Sequence, residues 1–119
     1  MPDRLTEERI ARNDAIFRDA NERIGAFAAE QELADETLPF ICECADMSCH
    51  EIVKVRLDAY REVRSNPRRF LNAPGHQVAA LGTAPVVERH SGYFVVEKQG
   101  HAGEVAEELA PTERQGVDG

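Results

Sequence analysis

Leu38-Pro39-Phe40-Ile41-Cys42-Glu43-Cys44-Ala45-Asp46-Met47-Ser48-Cys49-His50-Glu51-Ile52-Val53-Lys54-Val55-Arg56-Leu57 is the stretch on which the fold turns. Residues 52–57 alternate and are β-branched, the pattern of a half-buried strand. Residues 38–44 read as the strand it pairs with, Pro39 lying near the start, where a missing N–H is tolerated. Residues 45–48 form the turn, served by Asp46. The stretch is therefore a β-hairpin that carries C-x-C-x4-C. Side chains two apart on a strand share a face, so Cys42 and Cys44 aim their sulfurs the same way. The turn folds Cys49 back towards them. Three convergent thiolates are most of a tetrahedral structural zinc site. Glu43 falls between the cysteines on the opposite face and is expected to face solvent.

A fourth ligand must come from elsewhere. His76 is preferred, because it follows Pro74-Gly75, a turn suited to a ligand-bearing knuckle. His90, at a hairpin end, ranks second. His50 adjoins Cys49, and neighbouring residues seldom reach one ion. The spacing departs from the paired C-x2-C units of common zinc fingers. Two other readings stay open: three free cysteines acting as small hydrophobes, and redox or iron–sulfur chemistry, which the missing fourth cysteine disfavours. A Cys42–Cys44 disulfide is strained at strand spacing.

N-terminal to the hairpin, residues 7–34 read as one long helix. Thr6 is the expected N-cap, and Glu7 and Glu8 suit the positive end of the helix dipole. Ile10, Phe17, Ala20, Ile24 and Phe27, with Ile16 and Ala28 beside them, recur at threes and fours and predict one buried stripe. The stripe either lies on the following domain or pairs with another helix, so a protein partner or a homodimer through this helix is expected. Asn13 falls on the stripe, either fixing coiled-coil register or partly exposed. Gly25 costs the helix about 1 kcal/mol relative to Ala and marks close packing.

C-terminal to the hairpin, a short helix runs to Arg64, with Leu57, Tyr60, Val63 and the stem of Arg64 inward, and Asn66-Pro67 ends it. Residues 69–73 form a short strand, and 77–83 a loop or short helix. Residues 86–90 and 93–98 form a second hairpin about Ser91-Gly92. Tyr60 and Tyr93 are core-edge residues. The glycine- and acid-rich residues 99–119 predict a largely disordered acidic tail, with at most a transient helix over residues 102–110. The fold class is α+β: a long N-terminal helix (1–36), then a small antiparallel sheet with one short helix (37–98), metal-stabilised, then the tail.

With 119 residues the chain forms one modest core, the size at which a metal staple is common. Its net charge of −8 argues against broad binding to nucleic acid or anionic membrane. No apolar run reaches the roughly 18 residues that span a bilayer. The acidic start Met-Pro-Asp-Arg-Leu-Thr-Glu-Glu lacks a secretory h-region. A cytoplasmic setting with reduced thiols is expected. Arg56, Arg61, Arg64, Arg68 and Arg69 form a local basic run, either binding phosphate or RNA or, preferentially, paired within the chain, as with the acidic N-terminal helix, or solvated.

Three blocks, Phe40-Ile41-Cys42-Glu43-Cys44-Ala45-Asp46, residues 67–76 (PRRFLNAPGH) and residues 87–98 (VERHSGYFVVEK), together with residues 13–24, resemble short uncharacterised proteins of high-GC bacteria. The resemblance spans roughly residues 9–98. It implies a stand-alone cytosolic protein and carries no activity. No catalytic residue, P-loop, nucleophile elbow, H-E-x-x-H or dinucleotide fingerprint is legible. The expectation is therefore a small zinc-stabilised interaction or regulatory module, in preference to an enzyme. The alternatives are a nucleic-acid-associated module using the arginine run and a small metalloenzyme or thiol redox protein.

Overall fold

The computed structural model of the chain describes residues 3–33 and 35–110. In order they form α1 (Arg4–Glu30), β1 (Thr37–Ile41), β2 (Ile52–Arg56), α2 (Leu57–Arg64), β3 (Arg69–Asn72), a 3-10 turn (His76–Ala80), β4 (Val86–Arg89), β5 (Phe94–Glu97) and α3 (Gly100–Glu108). The α+β reading holds. Strands β1 and β2 make an antiparallel pair with Leu38 opposite Val55 and Phe40 opposite Val53, all four buried. A second antiparallel sheet has the order β3-β5-β4.

Helix α1 begins one turn earlier than Thr6 as a cap would place it. Asp3 is the N-cap, and its Oδ1 accepts from the Thr6 backbone N–H at 2.8 Å. The helix ends in a Schellman arrangement: Leu33 N–H donates to Ala28 O at 2.9 Å and Glu32 N–H to Ala29 O at 3.1 Å, with Glu32 left-handed at φ 59°. Leu33 and Ala28 then meet in the core.

The buried face of α1 is rotated from the expected stripe. It carries Ile10, Ala11, Asp14, Ala15, Arg18, Asn21, Gly25 and Ala28, whereas Phe27 is 62% and Ile16 54% exposed. The cause is chemical. Asp14, Arg18 and Asn21 enter the core because partners await them there. Asp14 pairs with Lys98, both side chains buried. Arg18 donates to Pro67 O at 2.9 Å and Ala106 O at 3.2 Å. Burial pushes the Asp14 carboxyl up to about 7 against the opposing pull of the Lys98 ammonium. Asn13, instead of setting a coiled-coil register, donates to Ala45 O at 3.0 Å and so props the cysteine loop.

Apolar packing forms one cluster between α1, the β1–β2 pair and α2, where Phe40 and Tyr60 stack at 4.2 Å. A second gathers Ile10, Phe70, Val96 and Ala106. Gly25 does mark a close approach, since a Cβ there would lie 3.4 Å from Leu57 Cδ1.

The expectation of a disordered tail from residue 99 is corrected for α3. Its small residues Ala102 and Val105 bury against Ala11, and His101 Nε2 meets Glu8 Oε2 at 2.9 Å. A segment poor in large apolar residues is held because small side chains permit close helix contact. Residues 111–119 of the expected tail lie outside the described residues.

Candidate metal centre

Strand β1 ends at Ile41, earlier than the sequence pattern implies. Cys42 N–H still donates to Glu51 O at 3.0 Å, but Glu43 N–H turns away to Leu71 O at 2.6 Å. The chain thus leaves the hairpin and docks on the outer edge of β3. Glu43 is fully buried, correcting the expected solvent-facing position. Its Oε1 accepts from Leu71 N–H at 2.8 Å, and its Oε2 accepts from Asn21 Nδ2 at 2.8 Å and from the Tyr60 hydroxyl at 2.6 Å. Asn21 also brackets Ile41, donating to its carbonyl at 2.8 Å and accepting from its N–H at 2.9 Å. This anchoring holds the backbone between the first two cysteines rigid.

The next turn delivers Cys49. Asp46 Oδ1 accepts from Ser48 N–H at 2.9 Å and from Ser48 Oγ at 2.6 Å, and Cys49 N–H donates to Asp46 O at 3.0 Å. On the facing segment Gly75 adopts φ +90°, which suits glycine, and His76 N–H donates to Ala73 O at 3.0 Å. Ala73 N–H reaches Cys42 Sγ at 3.1 Å.

These turns bring the three sulfurs and one imidazole together. His76 Nδ1 stands 3.4 Å from Cys49 Sγ, 3.7 Å from Cys42 Sγ and 3.9 Å from Cys44 Sγ. All four donor atoms lie within 4.8 Å of one another. Cys42 and Cys44 are buried, Cys49 and His76 half-buried, and none of the cysteines is in a disulfide. Without a cation the hydrogen bond from Cys42, ahead of opposing burial, holds the Cys44 thiol down at about 5. That same bond, followed by burial, drives Cys42 up. Burial raises Cys49.

The other candidate ligands go elsewhere. His90 stacks on Tyr93 at 4.4 Å and contacts Glu88 at 2.9 Å, and His50 is exposed. Tyr60 is buried, not at the core edge. The arginine run is largely consumed by acids of the same chain. Arg56 pairs with Asp35 and Asp58, Arg68 with Glu107, and Arg69 with Glu88 and Glu97. The pairing is intramolecular, as expected, with these partners standing outside α1. Sequence reasoning missed Asn21 and Glu43 as supports of the site. The available signal was a run of polar residues, Asp14, Arg18 and Asn21, spaced four and three apart where a helix face should be apolar. Among the described residues no helix is long and apolar enough to cross a membrane. Comparison with protein-family models, with curated proteins and with solved structures returns no match.

Proposed function

We propose that Cys42, Cys44, Cys49 and His76 bind one zinc ion, and that the chain is a small zinc-stabilised cytoplasmic interaction or regulatory module. The observation that carries this is the spacing of the donors. Tetrahedral zinc with Zn–S of about 2.3 Å and Zn–N of about 2.0–2.1 Å sets sulfur–nitrogen separations of roughly 3.6 Å. The three separations here, 3.4, 3.7 and 3.9 Å, bracket that value. Donors this close enclose a single ion rather than a cluster. Four protein ligands close the coordination sphere, which is the structural rather than the catalytic arrangement. The ion ties the cysteine loop to the turn after β3, segments whose own packing is modest in a chain of this size. An N–H donated to Cys42 Sγ by Ala73 favours the thiolate form.

The partner surface is α1, whose outer side presents Leu5, Ile16 and Phe27, three exposed apolar side chains at an eleven-residue spacing. The arginine pairing described above weighs against a nucleic-acid role.

Elemental mass spectrometry of the purified protein tests the metal. About one zinc per chain is expected, with thiols released by chelator. His76→Ala should lower zinc content and thermal stability together, while His90→Ala should leave both unchanged. A metal-free protein of full stability, or equal effects of the two variants, would overturn the proposal.

A further inference from the structure

We propose that the outer edge of β2 docks an extended acidic peptide, which joins the β1–β2 pair as a third strand. This surface stands apart from the outer side of α1 and does not depend on the zinc reading. Bonded and non-bonded residue pairs alternate along an antiparallel ladder. Cys42 N–H donates to Glu51 O, so these two form a bonded pair, and the register carries that phase to Phe40 with Val53 and to Leu38 with Val55. Ile52 and Lys54 therefore stand at non-bonded positions and turn their N–H and C=O groups away from β1. No hydrogen bond among the described residues engages those four groups. Backbone groups left unpaired inside a protein are rare, and both residues are exposed, Ile52 at 51%. The edge thus presents two donors and two acceptors in line, the template that an added strand requires.

The other edges of the two sheets are closed or spoiled. On β1, Asn21 brackets the N–H and carbonyl of Ile41, and Pro39 has no N–H to offer. On β3, Glu43 occupies both backbone groups of Leu71. Strand β4 is interrupted by a bulge between Val86 and Glu88, an irregularity that hinders edge pairing.

The side chains of β2 select the incoming strand. Ile52, Lys54 and Arg56 share its exposed face. Arg56 is spent on Asp35 and Asp58, whereas Lys54 meets no acid among the described residues. A second copy of the chain, paired by a two-fold axis at the middle of β2, sets Lys54 against its own copy, and like charges directly opposite repel. A strand with an acid opposite Lys54 and an apolar residue opposite Ile52 gains at both positions.

The test is an amide NMR titration of the purified protein with the capped peptide Ser-Thr-Val-Thr-Glu-Thr-Val-Thr-Ser, whose palindromic order serves either strand direction. A twin with Lys in place of Glu is the control. The Glu peptide should shift the Ile52 and Lys54 amides saturably, with a Kd of about 1 mM or tighter, and slow their hydrogen exchange. The Lys peptide should bind at least threefold more weakly. Lys54→Pro removes an outward N–H and the ammonium but spares the bonds of Val53 and Val55 to β1, so it should abolish the shifts while the β1 and β2 amides stay dispersed. Lys54→Glu keeps the edge and reverses its charge, and should prefer the Lys peptide. Absence of saturable shifts with the Glu peptide, equal binding of the two peptides, or an unchanged preference in Lys54→Glu would overturn the proposal. So would a concentration-dependent dimer that protects the Ile52 and Lys54 amides without peptide, since the occupant would then be a second copy.

Discussion

Replacing Glu43 by Gln changes one atom of a fully buried carboxylate and should be strongly damaging. The carboxylate accepts three hydrogen bonds, from Asn21, Tyr60 and Leu71, and balances Arg64 at 3.7 Å. An amide can keep its oxygen towards Leu71 N–H only by pointing its NH₂ at the Asn21 amide, so that a donor meets a donor. Each hydrogen bond to a charged group is worth about 1.5–3 kcal/mol. Leaving a buried arginine without its counter-charge costs about 3–5 kcal/mol. These two losses share one group and are not additive, so the expected destabilisation is about 3–5 kcal/mol. At about 4 °C per kcal/mol for a domain of this size, the thermal midpoint should fall by about 12–20 °C. Urea unfolding of the zinc-loaded protein is the assay, with zinc content measured alongside so that loss of metal is not mistaken for loss of the network. Tyr60→Phe removes one donor and should cost about 1.5–3 kcal/mol, and the double variant should cost clearly less than the sum. A Glu43→Gln protein with full zinc and a stability within about 0.5 kcal/mol of the parent would refute the buried-network account.

Breaking the buried Asp14–Lys98 pair with Asp14→Asn should cost about 3–5 kcal/mol in denaturant unfolding, whereas replacing both partners by apolar residues of similar volume should recover most of it. Gly103→Ala should destabilise the docking of α3: a Cβ there would lie 2.8 Å from the Lys98 carbonyl, which is backbone and cannot yield, and would also crowd the Arg68 guanidinium. Faster hydrogen exchange in residues 100–108 would report it, and unchanged exchange would contradict it. The His101–Glu8 contact gives α3 a pH window. The hydrogen bond to Glu8 raises His101 above 6.5, so its contribution is complete below that pH and is lost as pH rises through the folded value. The bond from His101 lowers Glu8 below 4.5, so its contribution is complete above that pH and is lost as pH falls through the folded value. The difference in thermal midpoint between the parent and His101→Gln should therefore be larger at about pH 5.5 than at about pH 9. A difference independent of pH would contradict the pairing.

Much of the architecture was legible from local chemistry. Alternation in residues 52–57 and β-branching around Ser91-Gly92 identified strands that do form, and C-x-C-x4-C with a Pro-Gly turn before His76 named four side chains whose donor atoms do converge. Strand periodicity and turn geometry act over a few residues, so a linear pattern carries them. The orientation of α1 was not legible, because Asp14, Arg18 and Asn21 look like a solvated surface until their partners are known. Those partners stand far along the chain: Arg18 meets Ala106 88 residues away, and Asn21 meets Glu43 at a separation of 22. The same limit hid Glu43, which alternation placed outward. Local pattern carried the α+β class, most of the strands and the donor set of the candidate centre, while α3, held by contacts with α1, escaped it. Tertiary structure alone decided which polar groups entered the core, because desolvating a charge is tolerable only where groups from distant segments supply its hydrogen bonds and counter-charge.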